Sequence, residues 1–120
     1  MILVDTSVWV DHFRSGNDTL AQSLEAGAVL THPFVIGELA CGNLRERVRT
    51  IAHLHQLPLA VVARDQEVLQ FVEQKQLWSL GIGWVDAHLL ASARLTNSVF
   101  WALDTALHKA AARAGVDLFR

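Results

Sequence analysis

The chain has 120 residues, 12 Asp+Glu against 10 Lys+Arg, 52% apolar residues, 7 Gly and 2 Pro, a composition that excludes a disordered or collagen-like chain. A chain of this length buries roughly two-thirds of its unfolded surface, enough for a conventional core without metal or disulfide staples. The net charge of −2 excludes nucleic-acid binding through bulk positive charge, so phosphates, if bound, must be neutralised another way.

In chain order, Met1 to Val4 is an apolar run of strand length that ends at Asp5, which also breaks the run before a signal-peptide core could form. Ala28-Val29-Leu30-Thr31 is a second strand, followed by Pro33, which suits the first turn of a helix carrying Glu38. Cys41, the single cysteine, follows Leu39-Ala40 and reads as a buried reduced thiol. Leu44, Val48, Ile51 and His55 mark one helical face, and Val68, Leu69 and Val72 mark another. Between these two faces, Leu59 to Val62 is a weaker strand candidate. Asp86 opens a helix over Ala87 to Ala93, and Ser98-Val99-Phe100-Trp101 is a third strand with Asp104 beyond it. Leu107, Ala110, Ala111 and Ala114 mark the last helical face, and Val116 to Phe119 is a final weak strand. Strands alternating with helices predict an α/β fold with a parallel sheet covered on both faces, one domain over residues 1–120. No apolar run approaches the roughly 18 residues of a membrane span, so a soluble, cytoplasmic protein is expected.

In open α/β sheets, ligands bind beyond the carboxyl ends of the strands, where Asp5 and Asp104 fall. Asp5, Asp86 and Asp104 each also read as helix N-caps, and singly that reading is favoured. Glu38 lies among Val35, Ile36, Leu39 and Ala40, where a carboxylate needs either a buried salt bridge or a functional partner. No Lys or Arg adjoins any of the four, so convergence at one strand edge would make them repel one another unless cations intervened. Such oxygen ligands suit Mg²⁺ or Mn²⁺, which bridge carboxylates to phosphate oxygens and can activate water against a phosphodiester.

Four blocks carry a resemblance: Ile2-Leu3-Val4-Asp5-Thr6-Ser7-Val8-Trp9; Thr31-His32-Pro33-Phe34-Val35-Ile36-Gly37-Glu38-Leu39 with Gly42-Asn43-Leu44; Gly83-Trp84-Val85-Asp86-Ala87-His88-Leu89-Leu90-Ala91-Ser92-Ala93; and Trp101-Ala102-Leu103-Asp104. In that order over nearly the whole length, they resemble the PIN-domain ribonucleases, specifically the VapC-type toxins of toxin–antitoxin pairs. The resemblance implies a PIN-like three-layer α/β/α sandwich with a mainly parallel sheet and a catalytic quartet of Asp5, Glu38, Asp86 and Asp104. Asp5 and Asp86 match the principal Mg²⁺ or Mn²⁺ ligands, Glu38 and Asp104 the completing or outer carboxylates, and Ser7 a supporting hydroxyl. It further implies cleavage of structured RNA, typically transfer or ribosomal RNA, a homodimer, and silencing by a VapB-type antitoxin. Ala102 stands where many relatives have Thr or Ser, and Thr105 and Ala106 where many are basic.

Other residues read as structure. Arg47 points about 200° from Arg45 and Arg49 on a helix, which makes all three solvated surface. The six His form no metal-ligand pattern, and Trp9, Trp78, Trp84 and Trp101 read as core or interface anchors. Rival functions are a phosphatase with Asp5 as nucleophile, which lacks a second Asp at Ser7, and a degenerate PIN fold acting as a binding module.

Overall fold

The computed structural model describes residues 1–120. In chain order the elements are β1 (Ile2–Val4), α1 (Thr6–Ser15), α2 (Asp18–Glu25), β2 (Val29–Leu30), α3 (Pro33–Ala40), α4 (Arg47–Gln56), α5 (Asp65–Lys75), α6 (Trp84–Thr96), β3 (Val99–Trp101) and α7 (Thr105–Ala114). The three strands form a parallel sheet in the order β2-β1-β3, with Leu3 opposite Leu30 on one side and Phe100 on the other. The steps β1→β2 and β2→β3 run in opposite directions across the sheet, so right-handed crossovers place helices on both faces. That is the α/β/α sandwich expected from the sequence.

The two weak strand candidates do not become strands. Each contributes one parallel bridge, Thr31 with Leu59 and Phe100 with Leu118, at opposite margins of the sheet. The β1 residues are all buried, as fits a strand covered on both faces, and they anchor a core of 24 buried residues. α6 contributes Ala87 to Ala93, seven consecutive buried residues, and small Ala and Ser side chains let other elements approach closely. All four positions predicted for the α7 face are buried. No helix is long and apolar enough to cross a membrane.

Several expectations are corrected. The face of Leu44, Val48, Ile51 and His55 is not the buried one: α4 starts only at Arg47, leaving Leu44 in the preceding turn, and its inward side carries Ile51 and Leu54. Val48 is 86% exposed and His55 is exposed as well. In α5, Val68 is buried but Leu69 is exposed. Cys41 is exposed, because α3 ends at Ala40 and the chain turns outward there. α6 begins at Trp84, so Asp86 lies in its first turn and does not precede it. α2 carried no sequence assignment; Asn17 caps it by accepting from Leu20 N at 3.0 Å, and Leu20 alone is its fully buried residue.

Arg45 lies outside α4, while the Arg47 guanidinium folds back onto the carbonyls of Ala40 and Gly42 and locks the α3–α4 turn. That turn ends at Glu46, held in the left-handed region at φ 46°. Trp9 is a core residue, whereas Trp78 and Trp84 are largely exposed.

His32 caps α3, its Nδ1 accepting from Phe34 N at 3.0 Å, while Nε2 is buried without a partner. Its ring packs edge-on against Phe34, which in turn packs against His88. Burial, with His88 nearby, holds the His32 imidazole down at about 4 from its usual 6.5. The unfolded chain therefore takes up a proton that the fold resists between these values. Stability is fully present above pH 6.5 and is lost as pH falls towards 4. His32→Asn keeps a side-chain cap but cannot titrate, so its Tm should fall less between pH 7 and pH 5 than that of the wild type. Parallel pH profiles in thermal unfolding would refute this assignment.

Candidate active site

The sheet ends where its last hydrogen bonds set the site. Asp5 N donates to Trp101 O at 2.8 Å, which fixes the β1 exit beside the β3 exit. Asp5 itself is only 6% exposed and caps α1. Its Oδ2 accepts from Ser7 N at 3.1 Å and from Ser7 Oγ at 2.6 Å. Burial pushes the carboxyl above its ordinary range, and the negative charge of Glu38 adds to the push; the Ser7 hydrogen bonds and the Thr6 N–H oppose it.

Asp86 sits in the first turn of α6, with Oδ2 accepting from Gly83 N at 2.9 Å. It too is raised, first by burial and then by the charges of Asp5 and Asp104, against the Gly83 hydrogen bond. Asp104 caps α7, its Oδ1 accepting from Ala106 N at 2.8 Å. Glu38 is exposed on α3, and the Thr6 hydroxyl donates to its Oε1 at 2.6 Å. The buried salt bridge weighed for Glu38 is therefore absent. The mutual effects chain the four acids together: Glu38 acts on Asp5, and Asp5 and Asp104 both act on Asp86.

None of the four has a cationic partner, since the ion pairs of the molecule are Arg49–Glu46 and Arg64–Glu67, and the one close His–carboxylate contact is His88 with Asp65. In Glu38, Asp86 and Asp104, one carboxylate oxygen is held by the chain and the other carries no protein hydrogen bond. No three side chains converge closely enough to hold an ion between them. This donor set fits Mg²⁺, which commonly takes one or two carboxylates and completes its shell with water and substrate phosphate.

Ser7 does more than cap. Its Oγ also accepts from Leu103 N at 3.1 Å, tying the Asp5 exit to the loop that carries Asp104. His108 Nε2 lies 2.7 Å from Ala102 O and restrains the same loop from α7. Sequence reasoning missed Thr6, Gly83 N and His108 as supports. Thr6 had a signal, a hydroxyl beside Asp5; the other two depend on how the chain folds back and left none.

The family model for the PIN domain matches residues 2–113. The chain is 43% identical over 122 aligned positions to Ribonuclease VapC32 of Mycobacterium tuberculosis, in two strains, an alignment covering 98% of this chain and 96% of the relative. The crystal structure of FitAcB from Neisseria gonorrhoeae superposes with a TM-score of 0.67 at 21% identity, covering 100% of this chain and 97% of that one. FitAB bound to a DNA fragment gives 0.66 at 19% identity over 99% and 94%. These two likenesses show the fold. With the family match spanning almost every element described above and VapC relatives aligned over nearly their whole length, the chain belongs to the PIN-domain family, in its VapC-type branch.

Proposed function

We propose that this protein is a metal-dependent endoribonuclease acting as the toxin of a VapBC-like toxin–antitoxin system, with residues 1–120 forming one catalytic PIN domain. The observation that carries the reading is the group of four carboxylates beyond the strand ends, two of them raised by burial and by neighbouring carboxylates, with no cation paired to any. The 43% identity to a ribonuclease supports it. The substrate class is structured RNA, with transfer or ribosomal RNA the first to test. A VapB-type antitoxin would silence the site, and the setting is cytoplasmic. Exposed Trp78 and Trp84 are apolar surface available to a homodimer contact.

Asp5 and Asp86 would hold Mg²⁺ or Mn²⁺, with Glu38 and Asp104 completing the shell or orienting water. Divalent ions there supply charge against the phosphodiester and a water of lowered pKa as nucleophile. The chain's own residues do the positioning. Ser7 fixes one Asp5 oxygen, Gly83 N one Asp86 oxygen and Thr6 one Glu38 oxygen, so each carboxylate would meet the ion in a set orientation. Asp104 is held by its own cap bond and by the Ser7 tie to Leu103.

Asp5→Asn should lower RNA cleavage by more than about a hundredfold, since even outer partners of metal ligands are worth ten- to a hundredfold. It should also relieve growth arrest on expression, with circular dichroism unchanged. Glu38→Gln and Asp86→Asn should behave alike, and Asp104→Asn more mildly. A fully active Asp5→Asn enzyme would sink the assignment, and cleavage insensitive to EDTA would remove the metal.

The raised carboxylates carry a second expectation. Their folded-state pKa lies above the unfolded value, so stability present at low pH is lost as pH rises through the folded value. Above the folded value the metal-free protein bears that cost in full. Mg²⁺ or Mn²⁺ binding only the fold adds RT ln(1 + [L]/Kd), about 2.7 kcal/mol at a hundredfold excess, which raises Tm by several degrees. The Asp5→Asn/Asp86→Asn protein should start more stable in EDTA and gain little from metal. Equal metal-induced shifts in both proteins would place the ions elsewhere.

A further inference from the structure

Of the ten Lys and Arg side chains, five are engaged. Arg47, Arg94 and Arg113 donate to backbone carbonyls, and Arg49 and Arg64 pair with Glu46 and Glu67. Arg14, Arg45, Lys75, Lys109 and Arg120 make no ion pair or hydrogen bond. Two of these free cations, Arg14 and Arg45, line the same cavity of about 640 Å³, and Glu38 lines it too. Arg14 is in the last turn of α1, about 12 Å along the helix axis from Thr6, the residue that holds Glu38. Arg45 comes from the α3–α4 turn, whose shape is locked by the Arg47 guanidinium folding onto Ala40 and Gly42. Phe13, 39% exposed, Asn43 and Thr50 are also in the lining.

We propose that this cavity is a substrate subsite in which Arg14 and Arg45 grip a phosphodiester of the RNA strand adjoining the scissile bond, a proposal that rests on the ribonuclease reading of the acidic edge. Guanidinium groups match phosphate oxygens bidentately, and an exposed aromatic beside them gives a base a surface to stack on. Glu46 also lines the cavity, and its carboxylate stands 3.8 Å from the Arg49 guanidinium, the cation with which it pairs. The subsite lets an acidic protein hold a polyanion: two cations grip the strand in a cavity that reaches the acidic edge at Glu38, where the carboxylates' own charge requires metal.

The test uses an Asp5→Asn background with Mg²⁺, so that bound RNA stays intact, and follows labelled bulk transfer RNA by fluorescence anisotropy across KCl concentrations. For Arg14→Gln/Arg45→Gln, Kd should rise roughly five- to eightfold per lost contact near 0.1 M salt, and the log–log salt slope should flatten by about 0.7–0.9 per contact. Arg14→Lys/Arg45→Lys keeps the charges and should restore the slope, while Arg64→Gln should change neither quantity. With Asp5 intact, the Gln double variant should raise KM and leave kcat unchanged. Unaltered Kd and slope in that variant would overturn the subsite, as would a Lys variant that loses as much slope as the Gln one. RNA affinity unchanged alongside weaker binding of a purified VapB-type antitoxin would make the cavity a protein groove and also overturn it. A protein that cuts no RNA yet binds it through these arginines would refute the ribonuclease reading and leave the subsite standing; cleavage with unaltered KM would do the reverse.

Discussion

Negative charge without a counter-charge is the constraint on which this structure turns. Two strand exits and two helices bring four carboxylates to one edge, and Asp5 and Asp86 are both held above the ordinary carboxyl range by burial and by their neighbours. Left to side-chain freedom, such groups would turn apart towards water. Here they are prevented from doing so by short local bonds that each occupy one oxygen: Ser7 on Asp5, Thr6 on Glu38, Gly83 N on Asp86 and Ala106 N on Asp104. Three of these acids thereby serve the backbone as well, because Asp5 and Asp104 cap α1 and α7 and Asp86 satisfies a free N–H at the start of α6. Capping does not compete with a further role at these positions, since the cap bond is what orients the remaining oxygen.

The crowding of like charge is tolerable because the remainder of the edge is rigid. A sheet of only three short strands gives little hydrogen bonding, but its central strand is fully buried and Leu3, Val4 and Phe100 are wholly shielded from water. α6 presses seven consecutive buried residues into the core directly after Asp86, which fixes where that carboxylate starts. Dense packing of this kind resists sub-ångström adjustment, so the repulsion cannot relax through the backbone.

What could be read from the sequence follows from how local each cause is. Apolar runs of strand length, two of them leading to an Asp, were enough to find β1, β2 and β3 and the parallel α/β class, because burial on both faces leaves a continuous apolar signal. The Ala-rich face of α7 was equally plain. The face of α4 was misplaced because its phase depends on where the helix begins, and that is set by the left-handed Glu46 and the folded-back Arg47, neither of which leaves a periodic trace. Cys41 follows the buried Leu39, yet one step past the end of α3 it faces solvent. The four acids were legible as residues that end strands or interrupt apolar helices, whereas the exposure of Glu38 and its Thr6 partner come from packing of α1 against α3, a contact 32 residues apart in sequence.

Ala102 illustrates how a departure from the family pattern is absorbed. It is 3% exposed, so its methyl group belongs to the core, and a hydroxyl there would need a partner in an apolar setting. The support such a hydroxyl could give the fourth acid comes instead from two sides of the loop. Ser7 Oγ accepts from Leu103 N, and the His108 ring meets the Ala102 carbonyl from the first turns of α7. Because His108 N also donates to Asp104 O at 3.1 Å, the same residue fixes the backbone on both sides of Leu103, itself half exposed. Asp104 is therefore positioned by backbone contacts that do not depend on the side chain at 102. Ser7, which bonds Asp5 and Leu103 with one hydroxyl, becomes the link through which the β1 and β3 exits keep a common geometry.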